Sequence, residues 1–307
     1  MADILVTGVA GFIGRHVACL FSSHGYDIVG VDVLSPEDIS LPGVNLRDYF
    51  QLQLPDTELS EILKHYDVEA CIHCAGRASI AESVDDPTPD FYNGVPTTFE
   101  ILNALRLHKP KCRFVFLSSA AVYGNPERLP VSETAPVNPI SPYGFHKLQC
   151  ELLCKEFSQV YGLRTVSLRI FSAYGPGLRR QVVWDIFQKA LKNTVLSLQG
   201  TENESRDFIH AEDISGAIMT VLKNGLFEGE VYNIATGREV KISELAEIIL
   251  ASSGITKKIE FDGIVPVGVP QNWRADVSKL QNLGFLPVIP LEQGIKDFVD
   301  WCRKDAK

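Results

Sequence analysis

No run of about 18 apolar residues, the length of a membrane-spanning helix, occurs in the chain, and no basic segment followed by an apolar stretch opens it. The expectation is a soluble, cytoplasmic protein with neither a membrane anchor nor a leader. Positive charge is also scarce: 29 Lys and Arg against 38 Asp and Glu leave a net charge of −9. A duplex nucleic-acid binder needs a basic face, so nucleic acid is not expected as a partner. An anionic small ligand remains open, because a few arginines in a cleft set the local field. A disulfide framework is missing too, since seven cysteines in 307 residues is an odd and thin supply. Cys71 and Cys74 in "CIHC" have the spacing of a metal or redox pair, but they lie within "VEACIHCAG", an apolar run that reads as a strand. Residues three apart on a strand point to opposite faces, so these thiols do not share a metal, and none is expected. Internal repeats and low-complexity segments are likewise absent.

What is present is ordinary globular material, 45% hydrophobic and 22% charged, in a length suited to one large domain or two unequal lobes. Short apolar runs alternate with helical patterns over the first 170 or so residues. "DILVTG" (3–8), "DIVGVD" (27–32), "YFQLQL" (49–54), "EACIHCAG" (69–76), "RFVFLSS" (113–119) and "RTVSLRI" (164–170) are the candidate strands. Their near-continuous hydrophobicity suits a parallel sheet covered on both faces. Past residue 172 the rhythm breaks and proline and glycine thicken, in "YGPG" (174–177) and "GIVPVGVPQN" (263–272), while "GEVYNIATG" (229–237) reads as one more strand of the main sheet. The expected fold is α/β: a Rossmann-type doubly wound parallel sheet over 1–172 plus about 208–236, and a smaller C-terminal lobe from 173–207 and 237–307 that binds the substrate.

"VTGVAGFIGRH" (6–16) sets Gly8, Gly11 and Gly14 directly after the first strand, as a helix begins, and Asp32 ends the second strand. That context distinguishes a dinucleotide site from a mere turn. Gly8 permits the tight turn, Gly11 lets the backbone approach a pyrophosphate, and Gly14 lets helix and strand close up, so the free N–H groups of the helix start face the anion. Asp32 accepts from ribose hydroxyls and repels a 2′-phosphate, which favours NAD over NADP.

The form "TGxxGFIG" resembles the extended branch of the short-chain dehydrogenase/reductases, the NAD-dependent epimerase/dehydratase family. The resemblance continues through "HCAG" (73–76), "SSAAVYG" (118–124), "PISPYGFHK" (139–147), "LRIFSAYGPG" (168–177) and "SRDFIHAEDI" (205–214), and so spans nearly the whole chain. It implies that NAD also touches Phe12, Ile13, Gln53, Leu54, Ala75, Gly76, Ser118 and Phe171.

Tyr143 and Lys147 stand four apart in "SPYGFHK", behind Ser141 and Pro142, which suit the N-cap and first position of a helix. Pairs at this spacing commonly decorate a helix surface and contribute only about 0.2–0.5 kcal/mol. A free phenol is a poor base at neutral pH, and making it one takes about 4 kcal/mol of extra stabilisation of the anion. A cation about 4 Å away supplies that much at an effective dielectric near ~20, and an oxidised nicotinamide adds a second positive charge. The resemblance implies that Tyr143 is the acid/base, that Lys147 tunes it and holds the nicotinamide ribose, and that Ser119 hydrogen-bonds the reacting sugar oxygen.

Residues 120 and 121, where related dehydratases and decarboxylases carry carboxylates, are Ala120 and Ala121. Alanine moves no proton, which leaves hydride and proton exchange at one carbon. "SSAAVYG … PISPYGFHK" looks most like the UDP-hexose 4-epimerases, which pass C4 hydride to bound NAD and back through a 4-keto sugar. For the nucleotide sugar the resemblance implies Ser172, Arg206, Arg274 and Asp276, while Arg179, Arg180 and Gln181 are further candidates near the nucleotide. A guanidinium grips phosphate oxygens in a fork, which a lysine does not. His73 and His210 are expected to serve backbone geometry. Departures from the family lie on the periphery: Ser172 replaces an asparagine, Gln53 an aspartate, "NGVPTT" (93–98) shifts a helix motif, and apolar sequence around Pro266 replaces an arginine. They bear on the sugar more than on the reaction, and leave a non-standard hexose, or a reductase of a 4-keto nucleotide sugar, as alternatives; a non-catalytic NAD-binding scaffold is a third, for which the Ser119–Tyr143–Lys147 set would have no use. Relatives pair the helix after Tyr143 and the "TTFEILNALRLH" helix across a four-helix interface, so a homodimer is expected.

Overall fold

Seven parallel strands form the centre of the molecule, a computed structural model that describes residues 3–265 and 268–305. β1 (Asp3–Thr7), β2 (Asp27–Asp32), β3 (Leu46–Gln51), β4 (Val68–His73), β5 (Arg113–Ser119) and β6 (Arg164–Ile170) are joined by α1 (Phe12–Ser23), α2 (Glu58–His65), α3 (Ile80–Asp85), α4 (Pro87–His108) and α5 (Pro142–Tyr161). Beyond them come β7 (Ser172–Tyr174), α6 (Gln181–Lys192), β8 (Leu196–Leu198), β9 (Ser205–Arg206), β10 (Phe208–His210), α7 (Ala211–Asn224) and β11 (Glu228–Ile234). The chain closes with β12 (Val240–Lys241), α8 (Ile242–Ser253), β13 (Ile259–Phe261), α9 (Ser278–Gln281) and α10 (Leu291–Asp305). The large sheet runs β11-β6-β5-β4-β1-β2-β3. Its order reverses at β1/β4, and in open α/β sheets the ligand crevice lies at the carboxyl ends of such strands.

Every residue of β1 is buried, and alternate side chains divide between two cores. Ile4 and Val6 pack with α1 and α7 on one face, while Leu5 packs with α2, α4 and α5 on the other. Cys71 joins the second core and Cys74 lies against the first, so the two thiols do face opposite sides. A third core holds α6, α8 and α10 together with Tyr174 and Phe208. A fourth, smaller cluster joins the halves through Ala120–Tyr123, Tyr143, Phe171 and Trp273.

Two elements differ from expectation. β3 spans 46–51 rather than 49–54, because Leu52 and Leu54 enter the core from the loop beyond the strand. α4 begins at Pro87, behind the Asp86 cap, and runs through Pro96 rather than starting at residue 97.

Candidate active site

β1 delivers the chain to Gly8, whose φ of 68° is a left-handed conformation open to glycine at little cost. A Cβ there would stand 2.7 Å from the backbone of Ala75, and one on Gly14 would overlap the Gly8 carbonyl. Both glycines are therefore demanded by close approach. α1 starts at Phe12 with neither a side-chain cap nor an acidic residue in its first turn, so its N–H groups remain available to an anion. Asp32 stands beside the loop: Oδ2 accepts from Ala10 N at 2.9 Å and Oδ1 from Val33 N at 2.8 Å. The tight glycine turn, the uncapped helix start and the carboxylate at the end of β2 fit a dinucleotide with free ribose hydroxyls.

The Ser141 hydroxyl caps α5 by accepting from Gly144 N at 3.2 Å. This fixes Tyr143 in the first turn, where its own N–H donates to Ser83 Oγ at 3.2 Å. One turn on, Lys147 Nζ donates to the Leu117 carbonyl at 2.8 Å and lies 4.8 Å from the centre of the Phe116 ring. Ser119 ends β5, its Oγ accepting from Ala121 N at 3.2 Å. Tyr143, Lys147 and Ser119 all line one cavity of about 540 Å³, together with Gly11, Phe12, Ile13 and Gly14. Ala75, Gly76, Ser118 and Phe171 line it as well. Ala120 and Ala121 are turned into the core instead.

Ser172, Arg180, Gln181 and Arg206 reach the same cavity from the second half of the chain. Gln181 opens α6 with a φ of 65° and donates through Nε2 to the Ala78 carbonyl at 3.4 Å. The Arg206 guanidinium donates to the carbonyls of Ser205, Gln271 and Pro270 at 2.7–2.9 Å and lies 5.3 Å above the Trp273 ring. Loss of water pushes its pKa down to about 10, which leaves it charged at neutral pH. Arg77 and Glu82 also face the cavity, so Arg77, Lys147, Arg180 and Arg206 stand against a single carboxylate. A basic pocket in an acidic chain focuses anions.

Several expected residues are not brought here. Gln53 donates to Asn93 Oδ1 at 3.1 Å, and Leu54 is buried in the α2–α4 core. Arg274 Nε donates to the Gly237 carbonyl at 3.0 Å, while Asp276 Oδ1 accepts from Ser278 N at 2.9 Å ahead of α9. The segment is extended, so neighbours alternate sides: Trp273 points inward and Arg274 outward. That alternation, legible in "NWRAD", was the signal for Trp273, which lines the cavity with Val269. Arg179 lies over Trp301 at 5.5 Å, outside the lining. Pro266 falls outside the described residues. His73 shares a 2.6 Å hydrogen bond with Thr7 Oγ1, and His210 caps α7 by accepting from Glu212 N at 3.3 Å.

Known proteins resemble the chain along its full length. The sequence model of the "NAD dependent epimerase/dehydratase family" matches residues 4–235. A putative UDP-glucose 4-epimerase from Methanocaldococcus jannaschii is 33% identical over 310 residues, covering 99% of each chain. The crystal structure of a UDP-glucose 4-epimerase from Thermotoga maritima, with UDP-glucose, superposes with a TM-score of 0.90 at 29% identity, covering 99% of this chain and 100% of that one. A UDP-glucuronic acid 4-epimerase from Bacillus cereus, in complex with UDP-glucuronic acid and NAD, has a TM-score of 0.88 at 29% identity, covering 98% and 99%.

Proposed function

Because the chain belongs to the NAD-dependent epimerase/dehydratase family, we propose that its cavity inverts C4 of a UDP-hexose or UDP-N-acetylhexosamine. The protein is an NAD-dependent nucleotide-sugar epimerase. The observation that carries this reading is the convergence of Tyr143, Lys147 and Ser119 with the glycine loop and three arginines on one cavity, while residues 120 and 121 are buried alanines.

The chemistry follows from these groups. Gly8, Gly11, Gly14 and the start of α1 hold the cofactor diphosphate, Asp32 its ribose hydroxyls, and Lys147 the nicotinamide ribose. Bound NAD supplies the acceptor and then the donor of hydride. Arg206 and Arg180 hold the substrate diphosphate, and Ser119 donates to O4 of the sugar. Tyr143 takes the O4 proton as C4 loses hydride, which leaves a 4-keto sugar. Once that sugar has turned its other face, Tyr143 returns the proton and C4 regains hydride. No redox equivalent is consumed, so the cofactor stays bound through the cycle.

The finer assignments are part of the proposal. Residues 1–172 with about 208–236 form the cofactor half, and 173–207 with 237–307 the sugar half. Tyr92, Phe99 and Leu107 on α4, and Phe145, Leu152 and Val160 on α5, are exposed apolar residues on two adjacent helices, which supports a homodimer through a four-helix interface. Seven free cysteines suit the cytoplasm, and among the described residues no helix is long and apolar enough to cross a membrane.

The test is incubation of the purified protein with UDP-glucose, UDP-galactose and their N-acetyl forms without added NAD(P)H, with products resolved by NMR. The expected outcome is the C4 epimer of at least one. No epimer from any of the four would overturn the reading, and stoichiometric NADH consumption with a 4-keto nucleotide sugar would then favour a reductase.

A further inference from the structure

Tyr143, His146, Lys147 and Cys150 are spaced so that they share one stripe of α5. That stripe faces a second cavity of about 10 Å³, whose opposite wall includes Asp90 and Gly94 of α4. Tyr143 and Lys147 line both this cavity and the active-site cavity. The volume suits a single water. A Cβ built on Gly94 would meet nothing within 4 Å, so the space on the α4 side is open. His146 Nδ1 lies 2.5 Å from Asp90 Oδ2, with side chains 13% and 8% exposed, and Phe91 packs edge-on against the ring at 5.3 Å. A carboxylate only accepts, so Nδ1 carries the hydrogen and Nε2 is left for another partner. Lys147 has one of its three N–H groups on the Leu117 carbonyl.

We propose that Asp90 and His146 are positioning residues for Lys147, acting through one water seated beside Gly94. Asp90 fixes the imidazole, His146 Nε2 holds the water, and the water accepts from Lys147 Nζ. The ammonium is thereby held between the Leu117 carbonyl and the water, at the distance from Tyr143 and the nicotinamide ribose that the reaction needs. Neither Asp90 nor His146 touches the sugar. Their absence from the reacting atoms is why the effect falls on the rate rather than on substrate binding.

The kinetic arm of the test rests on the epimerase reading, and the cofactor arm does not. His146→Ala and Gly94→Ala are compared with the unaltered protein for kcat, KM, melting temperature and the dissociation rate of bound NAD. Gly94→Ala is the decisive variant, because it adds a methyl group to the open space beside Gly94 where the water is placed, while leaving the Asp90–His146 pair intact. Groups that orient metal ligands typically matter by about 10–100-fold. On that scale both variants are expected to lower kcat about tenfold or more, keep KM within about twofold and speed NAD release about tenfold, while Gly94→Ala raises the melting temperature. A pair that merely clamps α4 to α5 would leave Gly94→Ala with unaltered kcat and NAD release, and that result would overturn the proposal. Absence of turnover by the unaltered protein would count against the epimerase reading alone, and NAD release would then decide the positioning role.

Discussion

The ammonium of Lys147 lies 5.8 Å from the centre of the Tyr143 ring. A unit charge at about 6 Å stabilises an anion by about 3 kcal/mol at an effective dielectric near ~20, which corresponds to about 100-fold in rate if expressed fully in the transition state. Lys147→Met is accordingly expected to lower kcat about 100-fold. Tyr143→Phe removes the proposed proton carrier and is expected to cost about 10²–10⁴-fold. The Tyr143 hydroxyl makes no hydrogen bond among the described residues, so the phenylalanine variant should melt within a few degrees of the parent. Steady-state rates and calorimetry on the two variants check both claims, and an active Tyr143→Phe enzyme would remove the catalytic assignment.

The glycine loop makes a sharper demand on the backbone than on any side chain. A methyl group on Gly14 would overlap the Gly8 carbonyl, and neither group can move without displacing β1 or α1. Overpacking of this kind costs on the order of 1–3 kcal/mol. Gly14→Ala is expected to lower stability by that amount in urea titrations and to purify with little NAD. Asp32→Ser should instead fold normally and lose its preference for NAD over NADP, which competition between the two cofactors would measure.

Two neutral histidines tie stability to pH. Burial, and secondarily Lys147, pushes His73 down to about 3, and burial, with His16 beside it, pushes His210 down to about 4. Both values lie below the ordinary 6.5, so as pH falls below 6.5 the unfolded chain binds protons that the folded chain refuses. Their contribution is present above 6.5 and is lost progressively toward about 4 for His210 and about 3 for His73. Each group adds a slope of up to about 1.4 kcal/mol per pH unit. Unfolding free energies measured between pH 6.5 and 4.5 should fall accordingly, and His73→Asn should flatten the slope even though it lowers stability overall. An unchanged slope would mean that His73 takes up its proton in the folded protein.

On the substrate side, Trp273 supports the Arg206 guanidinium while the fork is bonded to three backbone carbonyls. Arg206→Lys keeps a charge but loses both the stacking plane and the fork. The expected result is a KM for the nucleotide sugar raised about tenfold or more, with kcat changed far less. Trp273→Leu should move KM in the same direction. Arg274→Ala, which removes a guanidinium bonded to Gly237 outside the lining, should leave KM within about twofold.

The contrast between Trp273 and Arg274 shows where the sequence is legible and where it is not. The glycine loop, Asp32 and the Tyr143–Lys147 spacing are local patterns, whose geometry follows from one strand end or one helix turn. The chemistry of Arg274 suits a phosphate, but the direction of its side chain depends on the alternation of an extended segment that pairs with Val131. β3 is hard to place from the sequence for a similar reason. It is a half-exposed edge strand, so its pattern is weak, and the alternating Leu52 and Leu54 that suggested a strand belong to the loop beneath it. Pro96 hid the first half of α4, because a proline there removes one helical N–H, a loss the helix tolerates. The meeting of Asp90 with His146 joins residues 56 apart, and no local pattern reports such a contact.

Glu151 shows how α5 is tied to the sheet. It lies one turn beyond Lys147 and accepts from Arg169 at 2.9 and 2.7 Å and from Ser118 Oγ at 2.5 Å, with both charged side chains 6% exposed. Burial works against the Arg169 charge, and the Glu151 carboxylate outweighs it, so the pKa is raised. Removing one member leaves the other buried and unpaired, which costs about 3–5 kcal/mol. Glu151→Gln is expected to lose that much in urea titrations. Replacing both residues by methionine removes the stranded charge along with its partner, so the double variant should be more stable than Glu151→Gln alone. The single variant should also lower kcat in its folded fraction, because Ser118 precedes Ser119 and α5 carries Tyr143 and Lys147. A double variant less stable than the single one would mean that the remaining contacts of Arg169, its stack 4.6 Å over Tyr123 and its bond to the Glu133 carbonyl, outweigh the ion pair.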